Sequence, residues 1–600
     1  MYIEKKKLSI KDVQRISTFT SIILFFLFVV LMFAFWNVQV LKNDYYKSLA
    51  IKNIYREIEI KAQRGLIVDR NNDIIAENKL DFSLFLVRKN IKDLEKTIKF
   101  INIITNIDKK KILNRIKKYK EYPESYSIPI KRNLSLEKVI YIKSRFDEFP
   151  GFKIAIEPTR LYPYKKIGSH ILGYIGEITF KELNQKKTGI YNLGENVGKI
   201  GVEKQHEELL RGTKGAQIVL KDNLGRIQKV LSEKNPKIGN KIVLTIDWEI
   251  QKYIEEIFKD YMGTVGVVDL RTGGMLALVS KPNFNPESFS GFLGRDEWNA
   301  LVNNPNKPLI NRFLQGLYLP GSVFKIVMAL TGLQEKIISP STVVNCYGSV
   351  KIYDRIFHCW NTSGHGSMNL YNGLKNSCNV FFYTLGKKLE IDIIAKYAKM
   401  LGFGSRTNMG LPNEKVGLIP TKSWKLKHLH QKWFPGETIS VSIGGGMLNV
   451  TPAQVLLMIS TVALRGNMPQ LHILKRIEYN GKVIRKFKPI FNQVSISKKN
   501  FEIVIEGLFR AVNDEGTGSA AKVEGLDICG KTGTQPIISK ENPSYERLIK
   551  IYRFKAHSWF ASFAPRNRPE IAVVVFIEHG GDAGIVAAPI AAKIYKKLFE

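Results

Sequence analysis

A serine and a lysine lie three residues apart in an otherwise apolar stretch of the sequence. The stretch reads YLPGSVFKIVMAL over residues 318–330 and contains Ser322 and Lys325. Pro320 and Gly321 interrupt the chain and predict a helix that begins directly after them. Residues three apart on a helix share one face, and burial of an amine in apolar surroundings disfavours its charged form. The pattern therefore predicts a serine nucleophile with Lys325 as its base.

The Ser-x-x-Lys spacing alone is a weak signal, since it recurs as SLEK at 135, SISK at 495 and SAAK at 519. SLEK has the form of an ordinary helix start, and chance accounts for the others. Ser322 differs from these serines in its apolar setting and in the motifs that follow it.

Two further polar motifs lie downstream of Ser322. The string NSCNVFFYTLG contains Ser377 and Asn379, and the string DICGKTGTQ contains Lys-Thr-Gly-Thr at 531–534 after a predicted strand. A second Lys-Thr-Gly string, at 187–189, precedes the nucleophile and lies in a polar loop. The ordered set of Ser-x-x-Lys, Ser-x-Asn and Lys-Thr-Gly is typical of penicillin-recognising acyl-serine enzymes, and it is far more specific than any one of its members.

Over nearly its whole length the chain resembles the class B penicillin-binding proteins. Matching strings are RGLIVDRN, PTRLYPY, GSHILGYIGEIT and GVEKQHEELLRG in the first half and SIGGGMLNVTPAQV in the second. GHG at 364–366 and WFPGETISVSIGGG at 433–446 are most similar to the elongation-specific members, and the division-specific paralogue is the alternative. The resemblance implies a peptidoglycan D,D-transpeptidase that is a target of β-lactams, and it leaves open a D,D-carboxypeptidase side activity.

The resemblance also implies a catalytic role for four residues. Ser322 would attack the carbonyl of the penultimate D-alanine of a muropeptide stem and release the terminal D-alanine, while Lys325 would accept its proton. Ser377 would relay a proton to the leaving amine, and Lys531 would set the local electric field. An amine of a neighbouring stem peptide would then take the acyl group.

Substrate binding is implied for the positions around these residues. Asn379 would hold the amide side chain of the donor, and Thr532 and Thr534 would hold its terminal carboxylate. The backbone N–H groups of Ser322 and Thr534 would form the oxyanion hole, which usually contributes most to acyl transfer. Gly533 suits a strand against which the substrate backbone packs closely.

Three of the four cysteines, Cys346, Cys359 and Cys378, lie between the nucleophile and the end of the Ser-x-Asn motif. His365 lies between the last two, and Cys3His is the donor set of a closed, tetrahedral structural zinc site. The resemblance adds that elongation-specific members carry a metal site here, with Asp sometimes at the positions of Cys346 and Cys359. Such a metal would fix the loop that presents Ser377, and no organic cofactor is expected.

Other interpretations of these cysteines stay open. A disulfide between Cys346 and Cys359 suits an oxidising compartment and would leave the third cysteine as a small buried hydrophobe; free thiols are the remaining alternative. His358 could replace His365 as the nitrogen ligand, although GHG places His365 where the resembled family has its own. Cys529, just before Lys-Thr-Gly, is predicted to be strand core.

The N-terminal segment predicts a single membrane-spanning helix. Residues 16–41 contain no charged residue, and this run exceeds the roughly 20 residues needed to cross a bilayer. Five basic residues precede it against two acidic ones, so the positive-inside rule places residues 1–15 in the cytoplasm and the bulk of the chain in the periplasm. The run is longer than the apolar region of a cleaved signal peptide, and no second span is evident.

The net charge of +37 is large, but its lysines recur through most of the chain. A nucleic-acid binder would concentrate such charge in a patch or stripe, so we expect no nucleic-acid partner and anionic envelope surroundings instead. An apolar fraction of 44% excludes a largely disordered chain.

Beyond the span, the sequence predicts an α+β protein with two extramembrane domains. Residues 42–245 mix short, Gly-punctuated pieces with Lys- and Ile-rich helices, and they would form an irregular, non-catalytic pedestal or dimerisation domain. Residues 246–600 carry strands at both ends with helices between, which predicts an antiparallel sheet with helices on both sides. The resemblance equates this second domain with the penicillin-binding, serine β-lactamase-like transpeptidase fold.

Competing functions share parts of this pattern. A β-lactamase is normally a soluble single domain, a β-lactam sensor usually has several spans, and a non-enzymatic envelope scaffold would not need the intact motif set. No glycosyltransferase motif set is visible, so the resemblance implies a SEDS-type glycosyltransferase and other elongation-complex proteins as partners. Stem peptides, β-lactams and the cytoplasmic membrane complete the expected partners.

Overall fold

The structure is a computed structural model that describes residues 9–185, 190–221, 227–290, 295–538 and 542–600. The first eight residues, which carry part of the charge behind the predicted cytoplasmic segment, and the second Lys-Thr-Gly string lie outside these ranges. The chain divides into a smaller unit of Met1–Ala62 and Thr213–Lys237 and a larger unit of Gln63–Gly212 and Ile238–Glu600.

The smaller unit starts with one long apolar helix, Ile10–Trp36, which continues as a π-helical turn over Asn37–Leu41. Ser9 and Asp12 begin it with reciprocal side-chain to backbone hydrogen bonds, a capping box that satisfies free N–H groups at the helix start. By length and composition this helix can cross a membrane, in agreement with the predicted span. The rest of the unit is the helix Asn43–Ile54 and an antiparallel sheet in the order Tyr55–Ile60, Gly215–Lys221, Ile227–Lys234.

A seven-stranded sheet forms part of the larger unit. Its neighbouring strands are antiparallel except for Lys241–Leu244 and Ile67–Val68, which are parallel. Two strands come from the C-terminal half, so the sheet joins chain from both sides of the predicted boundary at residue 245. In spatial order the strands are Lys482–Lys486, Leu474–Tyr479, Lys241–Leu244, Ile67–Val68, Ile74–Val87 and Ser127–Leu134, with Phe152–Leu161 also paired to Ile74–Val87.

The Lys- and Ile-rich region of the first half forms helices, as predicted. They are Leu94–Thr105, Lys109–Lys118 and Leu136–Lys143, and their apolar faces pack in one cluster with the strand Ile74–Val87. Ser135 of the SLEK string is the N-cap of the last of these helices, so this Ser-x-x-Lys match is a helix start.

A buried ion cluster joins three of the strings that carry the resemblance. Glu203 is fully buried and accepts hydrogen bonds from Arg64 Nε at 2.5 Å and from Arg160 Nε at 2.7 Å. Arg64 also pairs with Glu207 at 2.7 Å. Although burial opposes ionisation, the two guanidinium groups hold the pKa of Glu203 below its ordinary value. Because loss of one partner would leave a buried charge unpaired, the cluster fixes how these segments pack.

A five-stranded antiparallel sheet lies at the centre of the C-terminal part. Successive residues of Ile571–Ile577 alternate between two apolar clusters, because neighbouring side chains of a strand point to opposite faces. The helices Trp248–Ile257 and Ala583–Phe599 pack on one face, and Pro452–Ala463 packs on the other. The predicted α+β class, with helices on both sides of an antiparallel sheet, is confirmed. In spatial order the strands are Gly274–Lys281, Gly263–Asp269, Ile571–Ile577, His557–Ala564 and Cys529–Gln535.

The remaining described elements flank these sheets. The helices are Ser169–Leu172, Phe180–Gln185, Gly201–Gln205, Glu207–Leu210, Glu287–Ser290, Arg295–Val302, Arg312–Gln315, Lys325–Gln334, Leu370–Lys375, Asn379–Lys388, Ile391–Met400, Lys422–Leu429, Pro435–Val441, Lys498–Asn513 and Tyr545–Leu548. The strands are Ile175–Glu177, Asn196–Gly198, Val344–Cys346, Ser349–Ile352, Arg355–His358, Gly366–Met368, Asn467–Pro469 and Phe491–Gln493.

Candidate active site

The predicted nucleophile lies in a tight turn at the start of a buried helix. Ser322 belongs to the 3-10 turn Gly321–Phe324, and the α-helix Lys325–Gln334 follows directly. The sequence predicts Ser322 in the first turn of the α-helix itself, whereas the structure puts it one turn earlier. Gly321 has a φ of 55°, a conformation that favours glycine. A Cβ on Gly444 of the SIGGG string would lie 2.0 Å from Gly321 O, so this string backs the nucleophile turn.

Lys325 is fully buried, and its amine points to the Ser-x-Asn segment. Nζ donates hydrogen bonds to Ser377 O at 2.8 Å, Ser377 Oγ at 3.2 Å and Asn379 Oδ1 at 2.7 Å. The sequence predicts an amine aimed at the Ser322 hydroxyl, but no hydrogen bond joins these two described side chains. Burial lowers the pKa of Lys325 to about 7, so its neutral form is populated near neutral pH.

Ser377 has a left-handed backbone conformation, with a φ of 51°, that serine rarely adopts. It lies between the helices Leu370–Lys375 and Asn379–Lys388. Such a conformation persists only where the surrounding structure holds it, and the hydrogen bond from Lys325 to Ser377 O is part of that support. The turn brings the Ser377 hydroxyl to the Lys325 amine.

The Lys-Thr-Gly motif lies on Cys529–Gln535, an edge strand of the five-stranded sheet. A Cβ on Gly533 would lie 3.1 Å from a methyl group of Val323 and 3.2 Å from Pro320 O. The sequence predicts that Gly533 allows close approach of a substrate backbone; in the structure the close neighbour is the nucleophile turn. The open side of an edge strand keeps unpaired backbone N–H and C=O groups, to which an extended peptide can bind.

Lys531 is fully buried in this strand and donates a hydrogen bond to Thr532 O at 3.1 Å. Burial and the charge of Lys325 lower the pKa of Lys531 well below its ordinary value. Because the two buried amines disfavour each other's charge, a bound anion would stabilise the protonated form of both. Cys529 in the same strand is also fully buried, as predicted for strand core.

The two threonines of the motif make different contacts. Thr532 Oγ1 donates to Thr517 Oγ1 at 2.8 Å, and Thr517 Oγ1 donates to Lys375 O at 3.4 Å. Thr534 is exposed, and its Oγ1 accepts a hydrogen bond from Ala583 N–H at 3.2 Å. Since that bond uses Thr534 as an acceptor, its hydroxyl proton stays available for a ligand.

Sequence reasoning missed the residues that brace the nucleophile segment. Tyr318 OH donates to Glu578 Oε1 at 2.5 Å, and Arg312 Nε donates to the same oxygen at 3.0 Å. The two pairs are 260 and 266 positions apart in the chain and form no local motif. Thr517 was missed as well, and the Gly-Thr-Gly string at 516–518 is its one weak signal.

The predicted cysteine and histidine donors come together in one group. The ligand atoms of Cys346, Cys359, His365 and Cys378 lie within 4.8 Å of one another. The Sγ atoms of Cys346 and Cys359 lie 3.6 and 3.5 Å from His365 Nδ1. All three thiols are buried and free, so no disulfide joins Cys346 and Cys359. His358, the alternative nitrogen ligand, is not in this group.

Two of the distances between these donors match those around a tetrahedral zinc ion. Zinc bonds of about 2.3 Å to sulfur and about 2.0–2.1 Å to nitrogen put these atoms about 3.6 Å apart in a tetrahedron, which matches the observed 3.5 and 3.6 Å. The hydrogen bond between the Cys378 and Cys359 thiols lowers the pKa of Cys359 and raises that of Cys378. Asn379 N–H donates to Cys359 Sγ at 3.4 Å, so the cluster contacts the Ser-x-Asn segment directly.

Known proteins are similar to both halves of the chain. Residues 263–596 match the penicillin binding protein transpeptidase domain, and residues 59–244 match the penicillin-binding protein dimerisation domain. The peptidoglycan D,D-transpeptidase MrdA of Acinetobacter baumannii is 31% identical over 559 residues, which cover 92% of this chain and 83% of that protein.

Two solved structures extend the similarity to the fold. A chain in the complex between penicillin-binding protein PBP2 and MreC from Helicobacter pylori is 27% identical with a TM-score of 0.79, and the match covers 91% of this chain and 100% of that one. A chain in a structure of a peptidoglycan synthase complex, described as coordinating polymerization and crosslinking, is 27% identical with a TM-score of 0.69 and covers 97% of both chains.

Proposed function

The chain belongs to the class B penicillin-binding proteins and is a peptidoglycan D,D-transpeptidase, and on that basis we propose that Ser322 is the residue acylated by the donor stem peptide. The observation that carries this proposal is the buried Lys325 amine, 2.8 Å from Ser377 O and 3.2 Å from its hydroxyl. These bonds join the first two motifs in one hydrogen-bonded unit. The close contact of Gly533 with the nucleophile turn brings the third motif to the same place.

In the acylation step, Ser322 Oγ bonds to the carbonyl carbon of the penultimate D-alanine and gives its proton to Lys325 Nζ. Lys325 can take this proton because burial brings its pKa to about 7. Collapse of the tetrahedral intermediate breaks the C–N bond to the terminal D-alanine, whose amine needs a proton. Ser377 Oγ, 3.2 Å from Nζ, passes that proton from Lys325 to the leaving amine. An amine of a second stem peptide then takes the acyl group, and attack by water in its place would be the D,D-carboxypeptidase side reaction.

Substrate binding falls to the residues around this centre. Thr534, with its exposed hydroxyl, and Thr532 hold the terminal carboxylate of the donor, and the buried Lys531 amine adds to the attraction for that anion. Asn379 accepts a hydrogen bond from Lys325 at Oδ1 at 2.7 Å and donates one amide N–H to His358 O at 3.4 Å, which leaves its other amide N–H for the donor peptide. The backbone N–H groups of Ser322 and Thr534 form the oxyanion hole.

A structural zinc ion held by Cys346, Cys359, His365 and Cys378 is the second part of the proposal. The donor set and the two Sγ–Nδ1 distances support it. Zinc, when bound, supplies a rigid link between its ligands and takes no part in acyl transfer. Since Asn379 N–H donates to Cys359 Sγ, these residues fix the segment that presents the Ser-x-Asn motif.

For the organisation of the chain, we propose a non-catalytic pedestal and dimerisation domain over 42–245 and a transpeptidase domain over 246–600. The family matches at 59–244 and 263–596 support this division. The seven-stranded sheet contains strands from both sides of this division. The helix Ile10–Leu41 would anchor the protein in the inner membrane with its N-terminus in the cytoplasm and the bulk of the chain in the periplasm.

We further propose a role in cell-wall elongation. One similar protein is in a complex with MreC, and another is in a synthase complex that coordinates polymerization and crosslinking. These findings support elongation-complex partners, among them a SEDS-type glycosyltransferase, for this chain. We expect β-lactams to acylate the same serine. We expect the protein not to bind nucleic acid.

Labelling with a fluorescent penicillin tests the nucleophile. The full-length protein should be labelled, Ser322→Ala should not, and the control Ser519→Ala, in the SAAK string, should be labelled like the wild type. Labelling that survives Ser322→Ala would reject the assignment.

Depletion of the protein in cells, followed by microscopy, tests the elongation role. Rounding of the cells is the expected result. Filamentation would favour the division-specific alternative.

A further inference from the structure

A threonine outside the three motifs contacts both the edge strand and the helix that precedes Ser377. Thr532 of the edge strand donates to Thr517 Oγ1 at 2.8 Å. Thr517 in turn donates to Lys375 O through its backbone N–H at 3.2 Å and its hydroxyl at 3.4 Å. Lys375 ends the helix that precedes Ser377. One side chain therefore contacts both the strand that binds the donor and the segment that presents Ser377.

The loop that carries Thr517 is held against its surroundings. It follows the helix Lys498–Asn513, which packs on both the helix Leu370–Lys375 and the edge strand. Gly518 N–H donates to Ala511 O at 2.9 Å. A Cβ on Gly516 would lie 2.6 Å from Ala511 Cα, so the loop packs directly against the end of the helix and only a glycine fits at this position. Thr517 is thus a fixed point from which a second side chain can be oriented.

We propose that Thr517 is a positioning residue that orients the Thr532 hydroxyl for the carboxylate of the substrate. The inference rests on the proposed role of Thr532 in binding that carboxylate. Thr532 is only 6% exposed, and because a buried hydroxyl without a partner is costly, its rotamer follows the hydroxyl of Thr517.

The two hydroxyls can exchange donor and acceptor roles when a carboxylate binds. In the resting state Thr532 gives its proton to Thr517, and Thr517 gives its own to Lys375 O over the long distance of 3.4 Å. A carboxylate takes the Thr532 proton in a stronger, charge-assisted hydrogen bond. Thr517 then turns its proton to Thr532 Oγ1 and gives up only the long bond to Lys375 O, whose backbone bond from Thr517 N–H remains. Valine has the shape of threonine but cannot take part in this exchange.

Comparing acylation by benzylpenicillin with acylation by its methyl ester separates a loss of carboxylate recognition from a general loss of active-site structure. The experiment uses the full-length, membrane-extracted protein and the second-order acylation rate constant for each probe. Thr517→Val should lower the rate with the acid about tenfold, the size expected for one hydrogen bond to a charged group, and leave the rate with the ester within about twofold. Thr517→Ser should restore the preference for the acid. Asp514→Asn removes the exposed ion pair of this loop with Lys375 and should leave both rates unchanged, because exposed ion pairs contribute little.

Thr532→Val distinguishes failure of the inference from failure of the role on which it rests. If Thr532→Val loses the preference for the acid and Thr517→Val keeps it, the inference about Thr517 is wrong. If Thr532→Val itself keeps the preference, the proposed role of Thr532 fails. Equal losses with acid and ester in Thr517→Val would assign it a merely structural role and overturn the inference. Because Thr517 acts through Thr532, the variant that combines Thr517→Val with Thr532→Val should have the same acylation rate constants as Thr532→Val alone.

Discussion

Lys325→Arg separates the role of a base from the role of a charge. Arginine keeps the positive charge but does not release its proton near neutral pH. If Lys325 accepts the Ser322 proton, acylation by penicillin should fall at least about 100-fold, the low end of what a general base contributes. Lys325 is fully buried, so the variant must first be shown to fold, by its melting temperature and by its retention of the wild-type circular dichroism spectrum.

The fraction of wild-type molecules with a neutral Lys325 amine follows from the burial of that amine. Burial moves the pKa of Lys325 from 10.5 to about 7. At pH 7 roughly half of the molecules then hold a neutral amine, compared with about one in three thousand for a solvated lysine. Without burial the population of competent base would thus be about a thousandfold smaller.

The pH dependence of acylation checks this reasoning. The neutral amine is the active form and is lost as the pH falls, so the rate constant should drop about tenfold per pH unit below about 7 and level off above it. Lys325→Arg should be slow and lack this dependence, whereas the control Lys522→Arg, in the SAAK string, should retain it. An ascending limb centred near pH 10 in the wild type, or near-normal acylation by Lys325→Arg, would refute the assignment of the base.

Three other experiments test the metal site, the contact at Gly533 and the buried ion cluster. Protein purified without chelator should hold one zinc per chain, and Cys378→Ala should lose both the metal and penicillin labelling. Absence of metal together with two titratable thiols in place of four would indicate a disulfide. Gly533→Val should abolish penicillin labelling and lower the free energy of unfolding by about 1–3 kcal/mol through overpacking, because its Cβ would lie 3.1 Å from Val323. Labelling of Gly533→Val at the wild-type level would contradict the tight contact. Glu203→Gln should lower the free energy of unfolding by about 3–5 kcal/mol, because it leaves the buried Arg160 guanidinium without its charged partner and Arg64 with Glu207 alone. A loss below about 1 kcal/mol in urea unfolding would show that the cluster is not needed for stability.

The strands and helices around the site could be predicted from the sequence because their signals are local. The turn Arg271-Thr272-Gly273 separates two runs that form the strands Gly263–Asp269 and Gly274–Lys281. The strand-forming runs near both ends of residues 246–600, with helical runs between them, likewise predicted the antiparallel sheet and its helices. Ser322 and Lys325 stood out because their polarity conflicts with the apolar run that contains them.

The partners of the site residues could not be predicted in the same way. Helix spacing puts Lys325 on the face of Ser322, and it says nothing about which loop packs over that face. In the structure a buried amine bonds to the polar groups within its reach, and these are the carbonyl and hydroxyl of Ser377 and the amide of Asn379. The left-handed conformation of Ser377 also has no sequence signal, because the residue that carries it is not a glycine.

The resting site contains two buried amines that disfavour each other's charge, and this affects how it binds substrate. Lys325 and Lys531 are both fully buried, and the charge of Lys325 makes the protonated form of Lys531 less favourable. Two desolvated amines that disfavour each other's charge are destabilising for the folded protein. A bound carboxylate would add negative charge to this site, so part of its binding free energy would come from relieving the repulsion between the two amines. The same argument explains why a neutral ligand of equal shape should bind more weakly than one with a carboxylate.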